Sequence, residues 1–152
     1  KKAAKHGDST AICNLGVLYE NGEGVEQNYT KAFEYFEEAV KLGFYGAFYN
    51  LGILYDNGRG VEKNYTKALE LYEEAAKFGN SRAFYNLGVF YHIGRGVEQN
   101  YTKAIEYYKE AAKLGHSEAF HILGVLYHNG QGVERNYTKA NEYFEKEAKH
   151  KQ

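Results

Sequence analysis

The sequence is short of cysteine, of unbalanced charge and of long apolar runs, and each scarcity removes a class of function. Cys13 is the only cysteine in 152 residues, so a disulfide framework is excluded. Lysine and arginine number 19 against 20 aspartates and glutamates, for a net charge of −1, and no block of like charge stands out. A nucleic-acid footprint or a membrane-surface patch is therefore unsupported. No apolar run approaches the roughly 20 residues that a membrane helix needs, so no membrane insertion is expected. The chain has no methionine and opens at Lys1. The lack of a targeting segment in these residues therefore excludes no compartment, and only a soluble protein is expected.

What the chain has in abundance is repetition. Gly7, Gly43, Gly79 and Gly115 step by 36 residues, as do Leu15, Leu51, Leu87 and Leu123, and Tyr19, Tyr55, Tyr91 and Tyr127. The block Gly22-Glu23-Gly24-Val25 returns at Gly58, Gly94 and Gly130. A fixed period of this size marks an array of supersecondary units, none of which buries its apolar face alone. Such arrays present an extended surface to a partner and rarely close a catalytic pocket.

One repeat, Asn80 to Gly115, shows the unit. Ala83, Phe84, Leu87 and Phe90-Tyr91 recur on one helical face and predict a first helix, A. Gly94 ends it in the left-handed conformation, and Gly96 lets the backbone pass close to its neighbours. Asn100 caps a second helix, B, which turns Tyr101, Ala104, Tyr107-Tyr108, Ala111 and Ala112 inward and closes at Gly115. Alanines and Gly88 are small where helices approach closely, and tyrosines send their hydroxyls to a rim or a backbone carbonyl. The eight helices are expected near 10–21, 30–42, 46–57, 65–78, 82–93, 101–114, 118–129 and 137–149.

These residues resemble the Sel-one-like repeat (SLR) family, a relative of the tetratricopeptide repeat. The pattern reads Ala83…Leu87-Gly88…Tyr91…Gly94-Arg95-Gly96-Val97, then Asn100…Lys103-Ala104…Tyr107-Tyr108…Ala111-Ala112…Gly115. Asn28, Asn64, Asn100 and Asn136 stand where the family most often has Asp, and Asn caps equally well. The resemblance implies an all-α, right-handed solenoid of four antiparallel helix pairs. It also implies a non-catalytic scaffold or adaptor that binds a peptide or a partner protein.

Residues 1–152 form one solenoid domain on this reading, with repeats at about 8–43, 44–79, 80–115 and 116–152. Lys1 to Gly7 align with the end of a helix B, so further repeats are expected before Lys1. Asn141, Glu147 and Lys151 replace apolar or glycine positions of the other repeats and mark a solvent-facing cap. Asp8, Asn80 and His116 stand at the starts of helix A, whereas the second repeat has Phe44-Tyr45-Gly46 there. Those two aromatics either pack on the preceding helix B or form an exposed contact patch.

Helix A positions off the core stripe share one face. In related tetratricopeptide arrays this face lines the concave groove. Here it offers Cys13, Asn14, Val17 and Glu20, then Tyr49, Asn50, Ile53 and Asp56. The third repeat adds Arg82, Tyr85, Asn86, Val89 and His92, and the fourth His121, Ile122, Val125 and His128. Asn14, Asn50 and Asn86 form a ladder of carboxamides that both donate to and accept from a peptide backbone. The candidate partner-binding residues are Asn14, Tyr49, Asn50, Asp56, Arg82, Tyr85, Asn86, His92, His121 and His128.

Other chemistries find little support. The four Asn-Tyr-Thr triplets fit a glycosylation pattern, but capping accounts for the asparagines more simply. His121 and His128 lie two helical turns apart, roughly 10 Å, too far for one ion. The Gly-x-Gly turns lack the preceding strand of a phosphate loop. Ser9, Ser81 and Ser117 belong to no Ser-x-x-Lys motif. No cofactor, metal or catalytic residue is expected. Two alternatives to the scaffold are a small-molecule binder or hydrolase like the β-lactam-binding SLR subgroup, and a purely structural or engineered array.

Overall fold

A computed structural model describes the backbone of residues 2–151 and the side chains of residues 8–151. All its elements are α-helices: α1 Lys2–Asn21, α2 Tyr29–Lys41, α3 Ala47–Asn57, α4 Tyr65–Lys77, α5 Ser81–Ile93, α6 Tyr101–Lys113, α7 Ser117–Asn129 and α8 Tyr137–Lys151. The all-α array of four helix pairs is thus borne out, with most ends within a residue or two of expectation. The chain divides into two compact units, Lys1–Phe78 and Gly79–Gln152. In the first, α1 packs on α2, α2 on α3 and α3 on α4. In the second, α5 packs on α6, α6 on α7 and α7 on α8.

Helix α1 corrects the expected start near residue 10. It runs through Gly7 without a break, so Asp8 is not a cap and Ser9 is not in a first turn. A lone helical glycine costs only about 1 kcal/mol relative to alanine, too little to end a helix by itself. Ser9 is fully buried inside that helix.

Local chemistry explains the other ends. The side chains of Asn28, Asn64, Asn100 and Asn136 accept from the backbone N–H of Lys31, Lys67, Lys103 and Lys139 at 2.9–3.0 Å. Asn80 caps α5 in the same way through Ala83. His116 occupies the corresponding position of α7 but makes no cap bond; its ring lies against Tyr85 instead, 4.9 Å between centroids. At the other end, Gly58, Gly94 and Gly130 close α3, α5 and α7 in the left-handed conformation. The next glycine in the turn serves a close approach. A Cβ on Gly60 would meet the Tyr29 carbonyl oxygen at 2.4 Å, and one on Gly132 would meet Tyr101 Cβ at the same distance. The turn therefore rides over the start of the preceding repeat's helix B.

The core forms where helix B lays an aromatic ring on a helix A glycine. Phe36 covers Gly16, Tyr72 covers Gly52, Tyr108 covers Gly88 and Phe144 covers Gly124. Tyr72 and Tyr108 are fully buried, and each such burial stabilises by roughly 1.5–3 kcal/mol. Ile105 is buried with them, whereas the expected core residues Tyr101 and Tyr107 are only half-buried. Leu51 and Leu123 lie in the cores formed with α2 and α6. Leu15 has no preceding helix B over it among the described residues and is 40% exposed.

The Phe44-Tyr45-Gly46 corner divides its aromatics. Phe44 packs on the first unit's core. Tyr45 stays exposed and stacks on Phe78 at 4.5 Å and Phe48 at 6.0 Å. Gly46 begins α3 without a side-chain cap.

Candidate functional site

The off-stripe face of helix A carries the candidate residues, and each unit arranges them in its own way. In the first unit, Asn14 lies exposed on α1 with no side-chain hydrogen bond among the described residues. Asn50 is half-buried on α3 and directs its amide nitrogen at Cys13 Sγ, 3.8 Å away. Cys13 itself is a correction: it is not a surface residue of this face but a core residue, 5% exposed. A thiol behaves as a small apolar group, and burial raises its pKa, which keeps it protonated and unreactive. Tyr49 lies against the buried ring of Tyr72, 5.8 Å between centroids, and the Tyr72 hydroxyl donates to Asp56 at 2.9 Å.

The second unit repeats the last device with a different partner. The hydroxyl of buried Tyr108 meets His92 Nδ1 at 3.1 Å, and Tyr85 lies against the same ring at 5.6 Å. Tyrosine hydroxyls beneath the face therefore reach side chains on it, Asp56 and His92. Burial lowers the pKa of His92 and raises that of Tyr108. Arg82 is exposed, and Asn86 is half-buried with no hydrogen-bond partner among the described residues. Val89 is half-buried and packs on the core, so it is not a free face residue.

On α7, His121 Nδ1 sits 3.0 Å from Glu147 Oε1, and Lys151 Nζ sits 2.8 Å from Glu147 Oε2. Glu147 is not solvent-facing as its sequence position suggests; its side chain is 14% exposed. Hydrogen bonds from Lys151 and His121 hold its carboxyl below the usual range. These three residues, with Tyr85, Glu118 and Ile122, line a shallow groove of about 250 Å³. His128 is exposed and turned toward Asn129 Oδ1, 3.3 Å away. The three histidines thus have separate partners, and no group of three or more metal-ligating side chains gathers among the described residues.

The sequence profile of the Sel1 repeat matches residues 9–44, 47–80, 81–116 and 117–150, nearly the whole chain. The chain belongs to the Sel1 repeat family. Its fold is similar to that of a Sel1 repeat protein from Oxalobacter formigenes (28% identity over 95% of this chain and 59% of that one, TM-score 0.90). It is also similar to a protective antigen of uropathogenic Escherichia coli strains that displays an SLR fold (34% identity over 100% of this chain and 32% of that one, TM-score 0.91). The cysteine-rich protein B of Helicobacter pylori is more distant, at 26% identity over 78% and 91% of the two chains and a TM-score of 0.61. The chain spans less than two thirds of the length of the first two. No curated protein matches it. Sel1 repeat proteins are generally non-catalytic scaffolds for protein interaction. No described helix is long and apolar enough to cross a membrane.

Within the Sel1 repeats, sequence reasoning missed the residues that support the face from beneath. From the sequence, Tyr108 is expected inward with its hydroxyl at a rim or a backbone carbonyl, and Tyr72 is not singled out. Their spacing held a usable signal: each lies 20 residues after a helix A glycine, Gly52 or Gly88, and 16 after the side chain its hydroxyl meets. In the outer repeats Phe36 and Phe144 stand at the same position and carry no hydroxyl. Glu118, Glu147 and Lys151 were missed as members of a groove because they come from two helices with no shared pattern.

Proposed function

We propose that the helix A faces of this Sel1 array bind an extended peptide segment of a partner protein. Asn86 carries the reading. Its carboxamide is half-buried on the face and has no hydrogen-bond partner among the described residues. A polar group left in that state gains most from a ligand that both donates and accepts, as a peptide backbone does. Tyr85 supplies rigid contact area next to it, held by Tyr108 and His116. Arg82, His92, His121 and His128 add charge or hydrogen bonding in the second unit. Asn14, Tyr49, Asn50 and Asp56 make the corresponding face of the first.

The test begins with peptides selected from a random library against the whole chain. Replacing Asn50 and Asn86 by Ala is expected to weaken a selected peptide by about 1–3 kcal/mol while helicity and melting stay unchanged. An affinity indifferent to both substitutions would remove the helix A face as the site.

A further inference from the structure

The second unit holds a cavity of about 430 Å³ lined by Lys109, Ala112, Lys113, Phe120, Tyr143, Lys146 and His150. It lies between α6 and the α7–α8 pair. It is separate from the groove described above, using Phe120 of α7 where that groove uses His121 and Ile122. The first unit has the equivalent cavity two repeats earlier, lined among others by Glu37, Val40, Lys41, Phe48 and Leu71, but of only about 170 Å³.

Two differences separate the pair. The first is room. Ala112 stands where Val40 does, and Ser117 where Tyr45 does. In the first unit Tyr45 and Phe78 stack on each other at that rim. In the second, His150 replaces Phe78 and rests on Phe120, 4.7 Å between centroids.

The second difference is charge. Helix B carries a pair of glutamates at this point: Glu37-Glu38, then Glu73-Glu74. The third repeat changes the first member to Lys109, and the fourth changes the second to Lys146. These two reversals come from different repeats, yet folding brings both to one cavity. No carboxylate lines it among the described residues. Lys113 is tied to Glu110 at 3.2 Å, whereas among the described residues Lys109 and Lys146 meet only aromatic faces, Tyr127 and Tyr143, each at 5.8 Å. Cations on an apolar floor of Phe120 and Tyr143 fit one kind of occupant.

We propose that this cavity is a binding site for a small amphipathic anion, a flat apolar body bearing a carboxylate, sulfonate or phosphate. The site does not depend on the peptide reading, because it uses none of the helix A face residues named above. Anilinonaphthalene sulfonate tests it by fluorescence titration on the whole chain, with uncharged N-phenylnaphthylamine as the matched body without the anion. Lys109→Glu with Lys146→Glu restores residues that the other repeats carry, so the helices are expected to stay intact by circular dichroism. This double reversal is expected to weaken the sulfonate about 10-fold or more and the neutral dye by less than about 2-fold, in line with modest energies per exposed charge. Added salt is expected to weaken the sulfonate alone. Ala112→Val with Ser117→Tyr, which rebuilds the narrower first-unit rim, is expected to abolish both. Should the double reversal unfold the chain, Lys109→Gln with Lys146→Gln serves the same comparison. Equal effects on the two dyes, or sulfonate binding that survives both pairs of substitutions, would overturn the proposal.

Discussion

At the scale of single residues, side chains two positions apart on a helix have different fates, and the difference is measurable. Leu87 is fully buried, while Val89 is half-buried and touches the core from its edge. Leu87→Ala is expected to cost about 2–5 kcal/mol through the cavity it leaves. Val89→Ala loses about two methyl groups at a half-exposed site and is expected to cost roughly 1 kcal/mol. Equal losses in denaturant titration would contradict this placement. Two histidines give the chain a pH dependence. Burial lowers the pKa of both His92 and His116. The unfolded chain, with histidine near 6.5, then takes up protons before the folded one does. Stability is expected to be full above that value and to fall as the pH drops through it toward the lowered folded values. Denaturant midpoints at about pH 7.5 and 5.5 measure the fall. His92→Gln with His116→Gln is expected to flatten it, and an unchanged slope would assign the effect to other groups.

At the scale of helices, the repeat is held together by small residues placed under large ones. Gly88 lies under the Tyr108 ring, and a Cβ there would stand 2.5 Å from Tyr108 Cε1. Alanine is the better helix former by about 1 kcal/mol. Gly88→Ala is nevertheless expected to destabilise the chain by about 1–3 kcal/mol, because the buried ring must shift and its hydroxyl must leave His92. A rise in melting temperature would show that the ring moves freely. The helix ends were legible in advance because they rest on local chemistry: Asn28, Asn64, Asn100 and Asn136 cap within three residues, and glycines take positive φ where alternatives are strained. The start of α1 was not, because Gly7 looks like the other closing glycines and one glycine does not stop a helix whose neighbours favour it.

At the scale of the molecule, the net charge of −1 says what salt should do. Peptide binding on the helix A face, resting on amide and aromatic contacts, is expected to change little between about 0.05 and 0.5 M salt. Affinity of a selected peptide measured at both strengths checks this, and a loss of tenfold or more would mean that Arg82, His92 or the Glu147 cluster dominates recognition. The basic cavity of the second unit is expected to behave in the opposite way, since its lysines act through screened charge.

Periodicity determined the repeat architecture, the helix count and the turns of this protein, and its local motifs, matched to the Sel1 pattern, determined the family and the asparagine caps. Each follows from contacts within a few residues of sequence, and the 36-residue recurrence writes them four times. The helix A face was also legible as a face, since 3.6-residue spacing places Tyr85, Asn86 and Val89 side by side. What the spacing could not decide is which of those side chains are already engaged. Tertiary packing took Cys13 into the core, set half-buried Val89 against its edge, placed Tyr hydroxyls on Asp56 and His92, and left Asn86 without a partner among the described residues. It also brought Lys109 and Lys146 from separate repeats to one cavity. These outcomes depend on where helices from different parts of the chain meet, and a pattern read along one helix carries no record of the atoms on the other side.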